Sequence, residues 1–415
     1  MSRVIALCFL LLAAVIGLLH IDSRPAWAPF AINAVVITEE EVVLEPVPKS
    51  KTPSALIKPS IASPISTWLP DTGTPSVHAA SLIALKDGGI RAFWFAGSRE
   101  GAADVSIYSS TFDSKSSSWS APAVVIDRVN AEKALSRYIA KLGNPVPARM
   151  ADGRLQLFFV TVSVGGWAGS SISSMISDDE GLTWGVPQRL ISSPLINLST
   201  LVKSPAILFT DGRLGLPAYH EWIGRFGEFL RIDAGQVIDK RRMSSGRSAI
   251  QPLVFVNDAQ DASAYFRQTR SAGQAKQVPV SQTQNAGQSW HIEPDLPIAN
   301  PNSAVAGLQL NDGSRILVLN NRESGRYRLV LMMTDAKSQW QTIEVLEDDT
   351  ALPEDQRKEF SYPYLITLDG NDAHLVYTWD RKKIHHRYFS GAWLKRAHVQ
   401  LSASEVGNTS EETKQ

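Results

Sequence analysis

The sequence predicts an all-β protein, a six-bladed β-propeller joined to an N-terminal membrane segment, and three observations carry that reading. Apolar or alternating runs such as AASLIAL, IRAFWFAG, LQLFFVTV, SRILVLN, YRLVLMM and AHLVYTW recur along the chain, too short for globular helices and bounded by turn residues. Asp-Gly turns at Asp87-Gly88, Asp152-Gly153, Asp211-Gly212, Asp312-Gly313 and Asp369-Gly370 each follow one apolar strand and precede another, so each marks a hairpin. Trp119, Trp184, Trp290, Trp340 and Trp393 stand in or just after a polar turn and close most of the units so marked.

Aligned on these markers, the chain divides into six units beginning near His78, Gly143, Val202, Ser248, Asn300 and Phe360, the fourth without its early Asp-Gly turn. Sheets of about four strands repeated radially make a propeller, here spanning 67–400. The closing turn is clearest in Ser177-Asp178-Asp179-Glu180-Gly181-Leu182-Thr183-Trp184, an S-x-D-x-G-x-T-W pattern in which Asp bonds turn amides, Gly supplies a positive φ and Trp packs on the blade. It recurs as Thr283–Trp290 with Asn285 in place of Asp, and more weakly before Trp119 and Trp340. Its role is structural.

Before the propeller, Val4 to Ile21 is an almost unbroken apolar run preceded by Arg3, read over 1–21 as a signal anchor or a signal peptide. The one small-x-small site suitably placed for cleavage after the apolar run, Ala26-Trp27-Ala28, is followed by Pro29, which favours an uncleaved anchor. Either way the chain is expected in the bacterial periplasm or at the cell exterior. Residues 22–66, with Pro46, Pro48, Pro53, Pro59 and Pro64, read as a semi-extended spacer, and 401–415 as a polar tail. The single cysteine, Cys8, lies within the apolar run, so the folded part needs no disulfide.

Lys plus Arg and Asp plus Glu are both 41, so nothing in the charge balance calls for nucleic acid. Any charge-based function is local. Adjacent His385 and His386 on a strand point to opposite faces, and no glycine-rich loop opens a helix. The sequence therefore calls for no metal, nucleotide or other cofactor.

The closing turns resemble the Asp-boxes of the sialidase superfamily. The segments Asn300-Pro301-Asn302-Ser303, Gly325-Arg326-Tyr327-Arg328-Leu329, Ser361-Tyr362-Pro363 and Tyr377-Thr378-Trp379-Asp380-Arg381 are similar to recurring stretches of its bacterial BNR-repeat, sialidase-like group. The resemblance covers nearly all of 78–393. It implies a six-bladed propeller whose site lies in the funnel where the innermost strands begin, and a glycan substrate.

A sialic acid carries its carboxylate on the carbon that becomes oxocarbenium-like. Arginines hold that carboxylate, and the same charge disfavours an anionic nucleophile, so such enzymes use a Tyr and a separate acid. Arg267, Arg326 and Arg381 recur about one unit apart and are expected at a common axis. Arg270 competes with Arg267. The resemblance implies Tyr362 as nucleophile. In Gly97-Ser98-Arg99-Glu100-Gly101-Ala102-Ala103-Asp104, it implies Arg99 as a binding residue and Asp104 as the acid, with Glu100 the competitor and a turn cap the alternative role of Asp104. Tyr219-His220-Glu221 offers a base from another direction. Asn302 and His220 complete the expected binding set.

Two positions depart from the group. The stretch that should carry the first clamp arginine reads Val77-His78-Ala79-Ala80-Ser81-Leu82, and the glutamate that should activate the tyrosine aligns with Gln251. The expectation is a sialidase-like, exo-acting glycosidase on sialic acid or another acidic sugar of extracellular or cell-surface glycan, working as a monomer. The alternatives are a catalytically inactive glycan-binding propeller and a lyase on uronate-containing polysaccharide.

Overall fold

The computed structural model describes residues 2–22, 26–32, 64–113, 116–193, 197–335 and 338–400. The expected polar tail 401–415, and most of the spacer with Pro46, Pro48, Pro53 and Pro59, lie outside the described residues. Six antiparallel sheets follow one another around an axis, confirming the all-β, six-bladed propeller. Their innermost strands begin at Ser76, Lys141, Leu201, Ala249, Ala306 and Phe360, within a few residues of the unit starts read from the turns. The last blade takes its outermost strand, Ile65–Trp68, from the N-terminal side of the first, paired antiparallel to Lys383–Phe389. That strand falls across the expected spacer boundary and closes the ring.

The five Asp-Gly turns use one device. The Asp side chain accepts from the backbone N–H two residues on, as in Gly89 N to Asp87 Oδ1 at 2.9 Å and Arg154 N to Asp152 Oδ1 at 3.0 Å. The Gly takes a positive φ, 81° at Gly88 and 85° at Gly313. The fourth blade lacks this dipeptide and turns instead on Asp258, whose carboxylate accepts from Gln260 N and Asp261 N at 2.8 Å. In the closing turn of the second blade, Asp179 accepts from Thr183 N at 2.8 Å and Thr183 Oγ1 at 2.6 Å, and the Trp184 indole donates to Gly181 O at 3.2 Å. Asn285 and Trp290 repeat the pattern in the fourth blade.

A helix covers Ser2–Asp22. Among the described residues no helix is long and apolar enough to cross a membrane. Trp27 and Phe30, inside the stretch read as spacer, are buried against Phe209 and Phe229 in a cluster spanning the third and fourth blades. This part of the chain is docked on the propeller. Aromatic side chains outweigh the local Pro and Ala composition there, because burying each removes a large apolar surface from water.

Candidate active site

Four of the six innermost strands begin with the same irregularity. The pairing register shifts between His78 and Ser81, Gly143 and Val146, Ile250 and Leu253, and Ser361 and Tyr364. Within each shift one residue is left-handed: Ala79 at φ 51°, Asn144 at 45°, Gln251 at 51° and Tyr362 at 54°. A bulge frees one residue from the ladder and re-aims its side chain. Holding a non-glycine residue there costs of order 1–3 kcal/mol. In three blades the freed residue is polar: Asn144 and Tyr362 line the funnel, and Gln251 stands just behind its wall. In the first, Ala79 is small, and His78 before it packs with its ring centroid 4.4 Å from that of Tyr362.

His78, Asn144 and Tyr362 line a cavity of about 180 Å³ together with Glu100, Trp167, Leu201, Tyr219, Glu221, Arg267, Arg326 and Arg381. The second strands end at the same level, so Tyr219, Glu221, Arg267 and Arg381 enter it from the ends of strands Leu214–His220, Ala262–Gln268 and Ala373–Trp379 or the residues just beyond.

Behind the cavity wall, Gln251 joins two phenols. Its amide nitrogen donates to Tyr219 Oη at 3.1 Å and Tyr362 Oη at 3.3 Å, and Asn144 Nδ2 donates to Tyr219 Oη at 3.4 Å. Arg267 Nη1 donates to Gln251 Oε1 at 3.4 Å, which fixes the amide with its oxygen toward the guanidinium and its hydrogens toward the tyrosines. Gln251 therefore stands where the tyrosine's activating carboxylate was expected, and it donates where that group would accept. Burial pushes the Tyr219 hydroxyl well above its ordinary range, reinforced by the charges of Tyr362 and Glu221.

The three arginines differ in their partners. Arg381 is gripped from both sides: Nε donates to Glu359 Oε2 at 3.0 Å, and Nη1 to Glu100 across the junction of the first and last blades. Arg326 donates to Glu359 Oε1 at 3.1 Å and to Asn302 O at 2.9 Å. Burial alone would raise the Glu359 carboxyl, but the bonds from Arg381 and Ser361 and the charges of Arg326 and Arg381 hold it down at about 2. Arg267 bonds instead to neutral amides, Nε to Asn302 Oδ1 at 2.7 Å and Nη1 to Gln251. Among the described residues it is the one of the three that no carboxylate ion-pairs. Burial raises the Glu221 carboxyl above its usual range against the pull of Arg267 and Arg225. Each proton Glu221 holds leaves the cluster one positive charge in excess, which suits an anionic ligand.

His78 is fully buried, and neither ring nitrogen has a hydrogen-bond partner. Burial is the main cause that lowers it to about 4, so the ring is neutral at pH 7. The site of the missing clamp arginine thus carries an uncharged side chain. Among the described residues no cluster of three or more His, Cys, Asp or Glu side chains could hold a metal.

Of the residues expected at the site, Tyr362, Glu221, Glu100, Arg267, Arg326 and Arg381 meet in this cavity. Asn302 stands behind it and braces two of the arginines. Three do not reach it. Asp104, expected as the acid, spends both carboxylate oxygens on Ser98, accepting from N at 3.0 Å and Oγ at 2.9 Å, and is a turn cap. Arg99 is exposed on the same loop. His220 stacks on Phe226 at 4.6 Å and pairs with Glu228, on the face of its strand opposite Tyr219. Arg270, the competitor of Arg267, is paired to Asp295. Sequence reasoning missed Asn144, Trp167 and Glu359. The Asn144-Pro145 pair, matching Gln251-Pro252 and Tyr362-Pro363, was the available signal for the first.

An axial funnel holding guanidinium groups from successive blades beside a tyrosine defines a sialidase-like, BNR-repeat propeller. The chain matches the BNR repeat-like domain family over residues 88–375 and belongs to that family. No curated protein matches it in sequence. Among solved structures it is similar to a protein of unknown function from Dyadobacter fermentans, at 13% identity and a TM-score of 0.64, over 78% of this chain and 97% of that one. The NanB sialidase of Streptococcus pneumoniae is similar at 13% identity and a TM-score of 0.60, over 78% and 69%. The intramolecular trans-sialidase of Ruminococcus gnavus is similar at 13% and 0.59, over 78% and 96%. At these identities the likeness is one of fold.

Proposed function

We propose that the protein hydrolyses glycosides of a carboxylate-bearing sugar, sialic acid or a related acid, in extracellular or cell-surface glycan. The observation that carries this reading is the convergence of Arg267, Arg326 and Arg381 on one cavity with Tyr362 and a carboxyl, Glu221, that burial raises above its usual range. Arg267 has guanidinium capacity to spare and takes the ligand carboxylate in charge-assisted bonds, with Arg326 beside it. Tyr362 faces the anomeric carbon as the nucleophile, since a neutral phenol is not repelled by the substrate's carboxylate, and as its oxygen bonds to that carbon its proton passes to water in the cavity. Glu221 protonates the leaving oxygen, a task to which a carboxyl raised by burial is better suited than an ordinary one. Glu359 is a positioning residue that orients Arg326 and Arg381.

The amide at Gln251 supports a second reading, β-elimination of a uronate. There a guanidinium and amides neutralise the carboxylate, and Tyr219 or Tyr362 moves the proton. For location, the apolar run before the propeller supports an exported protein anchored at the membrane by 2–22.

Release of the aryl group from aryl glycosides of acidic sugars by the purified protein, beside its Tyr362→Phe variant, tests the proposal. Turnover lost in the variant supports the hydrolase. Ultraviolet-absorbing unsaturated ends released from a uronate polymer, with no aryl release, replace it by the lyase. Binding without either reaction leaves a glycan-binding propeller.

A further inference from the structure

The chain just after the N-terminal helix is built into one face of the propeller. Phe30 N donates to Ala259 O at 2.8 Å, Ala31 N to Leu208 O at 2.9 Å, and Thr210 N to Pro29 O at 2.9 Å. The Trp27 indole donates to Asp239 Oδ2 at 3.1 Å, and its backbone N–H to Gln288 Oε1 at 3.3 Å. The Trp27 ring meets Phe209 edge-on at 5.8 Å and lies under the Arg231 guanidinium at 5.2 Å, while Phe30 stacks on Phe209 at 5.3 Å. A segment bonded through backbone and side chain at five points, with two aromatics in the core, is part of the domain.

Its backbone docking points and Gln288 lie at one end of the strands. Leu208 and Thr210 lie just before the Asp211-Gly212 turn, Ala259 is in the hairpin between Ala249–Val256 and Ala262–Gln268, and Gln288 is in the closing turn of the fourth blade. The cavity lies at the other end: Gln251 opens the strand that runs down to the Ala259 hairpin, and Arg267 ends the strand that returns. The strap is therefore on the back face.

We infer that the propeller is held at the membrane by its back face, with the cavity mouth turned away from the bilayer. The inference rests on the anchor reading of 2–22 given above. The few residues between Asp22 and Trp27 can reach at most about 18 Å, so the strap cannot let the domain tumble to present its other face. A cut after Ala28 would remove Trp27 from the core, so the strap argues against cleavage at that site. The substrate that fits this arrangement is a soluble or extended acidic glycan arriving from the side away from the membrane, not the headgroup of a lipid in the same bilayer.

Two cysteines on the same blade test it in the full chain carrying Cys8→Ala: Gln260→Cys in the back hairpin and Ser271→Cys in the loop beyond Arg267. They are separated along the strand by about 20 Å. The protein is reconstituted in phosphatidylethanolamine and phosphatidylglycerol vesicles, and energy transfer is measured from a fluorophore on each cysteine to an acceptor on the lipid headgroups. The mature chain is expected to retain Trp27, and transfer is expected to be clearly stronger from position 260 than from 271. Equal or reversed transfer in a membrane-bound chain overturns the orientation alone. An intact chain that stays soluble overturns the anchor and the orientation with it.

Discussion

The two faces of the propeller are made from opposite ends of the same strands and obey different rules. On the back face the ends repeat: five Asp-Gly turns share one side-chain hydrogen bond, and the closing turns of the second and fourth blades repeat the same bonds through Asp179 and Asn285. On the funnel face they diverge. The four left-handed bulges are alike in backbone, yet they present Ala79, Asn144, Gln251 and Tyr362. Repetition on one face builds the scaffold, and variation on the other gives each blade a separate chemical task.

This contrast can be broken by substitution, and the largest effect belongs to the funnel. Arg267→Ala is expected to lower kcat/KM on an acidic-sugar substrate by about 10³-fold, the loss of more than one charge-assisted bond in the transition state. Its thermal midpoint should stay close to the wild type in calorimetry, because Arg267 bonds only to neutral side chains.

The mirror experiment is Trp184→Ala on the back face. Trp184 packs edge-on to Phe93 at 5.8 Å and donates to Gly181 O, so its removal should cost about 3 kcal/mol in denaturant titration. The folded fraction should keep its kcat. Asp179→Ala removes three side-chain bonds of the same turn and should cost roughly 1–2 kcal/mol. A large fall in kcat from either back-face variant would end the division of labour.

Gln251→Glu sharpens the contrast from the funnel side. It should raise kcat by about 10²-fold if a carboxylate near Tyr362 is the missing base of a hydrolase, and it should lower it if the amide serves to neutralise a uronate.

The pH profile follows from Glu221. As the acid it must be protonated, so kcat falls as pH rises through its raised value, and Glu221→Gln should abolish that alkaline limb along with most of the activity.

A further, pH-dependent effect is expected at the axis. Lys203 in the third blade is wholly buried, reaches the carbonyl of Pro363 in the last blade, and is lowered by burial to about 7. Between about 7 and the ordinary lysine value near 10.5 the unfolded chain binds the proton and the folded chain does not, so stability rises with pH across that window. Lys203→Met should remove this slope in thermal melts. Its stability relative to wild type should be most favourable below pH 7 and least favourable near pH 10.

The fold was legible because the back face is written in local chemistry. An Asp-Gly pair or an S-x-D-x-G-x-T-W stretch specifies its own turn with few partners. The funnel is long-range, and its legibility was uneven for physical reasons. The arginines were found because blade spacing carries them to one axis. Asp104 and Glu100 share one short loop whose side-chain directions are set by Ser98 and Arg381, and sequence cannot weigh those bonds. His220 and Tyr219 are neighbours on a strand, so alternation sends one in and one out, and only the packing of Phe226 decides which. Trp27 and Phe30 were hidden in a Pro- and Ala-rich stretch because their partners, Phe209 and Phe229, lie far along the chain.

The central claim is that the cavity recognises a carboxylate, and calorimetric binding of N-acetylneuraminic acid beside its methyl ester tests it most directly. The acid is expected to bind at least about tenfold more tightly than the ester, with the difference lost in Arg267→Ala. Equal affinity for acid and ester, or a difference that survives the loss of Arg267, would contradict it.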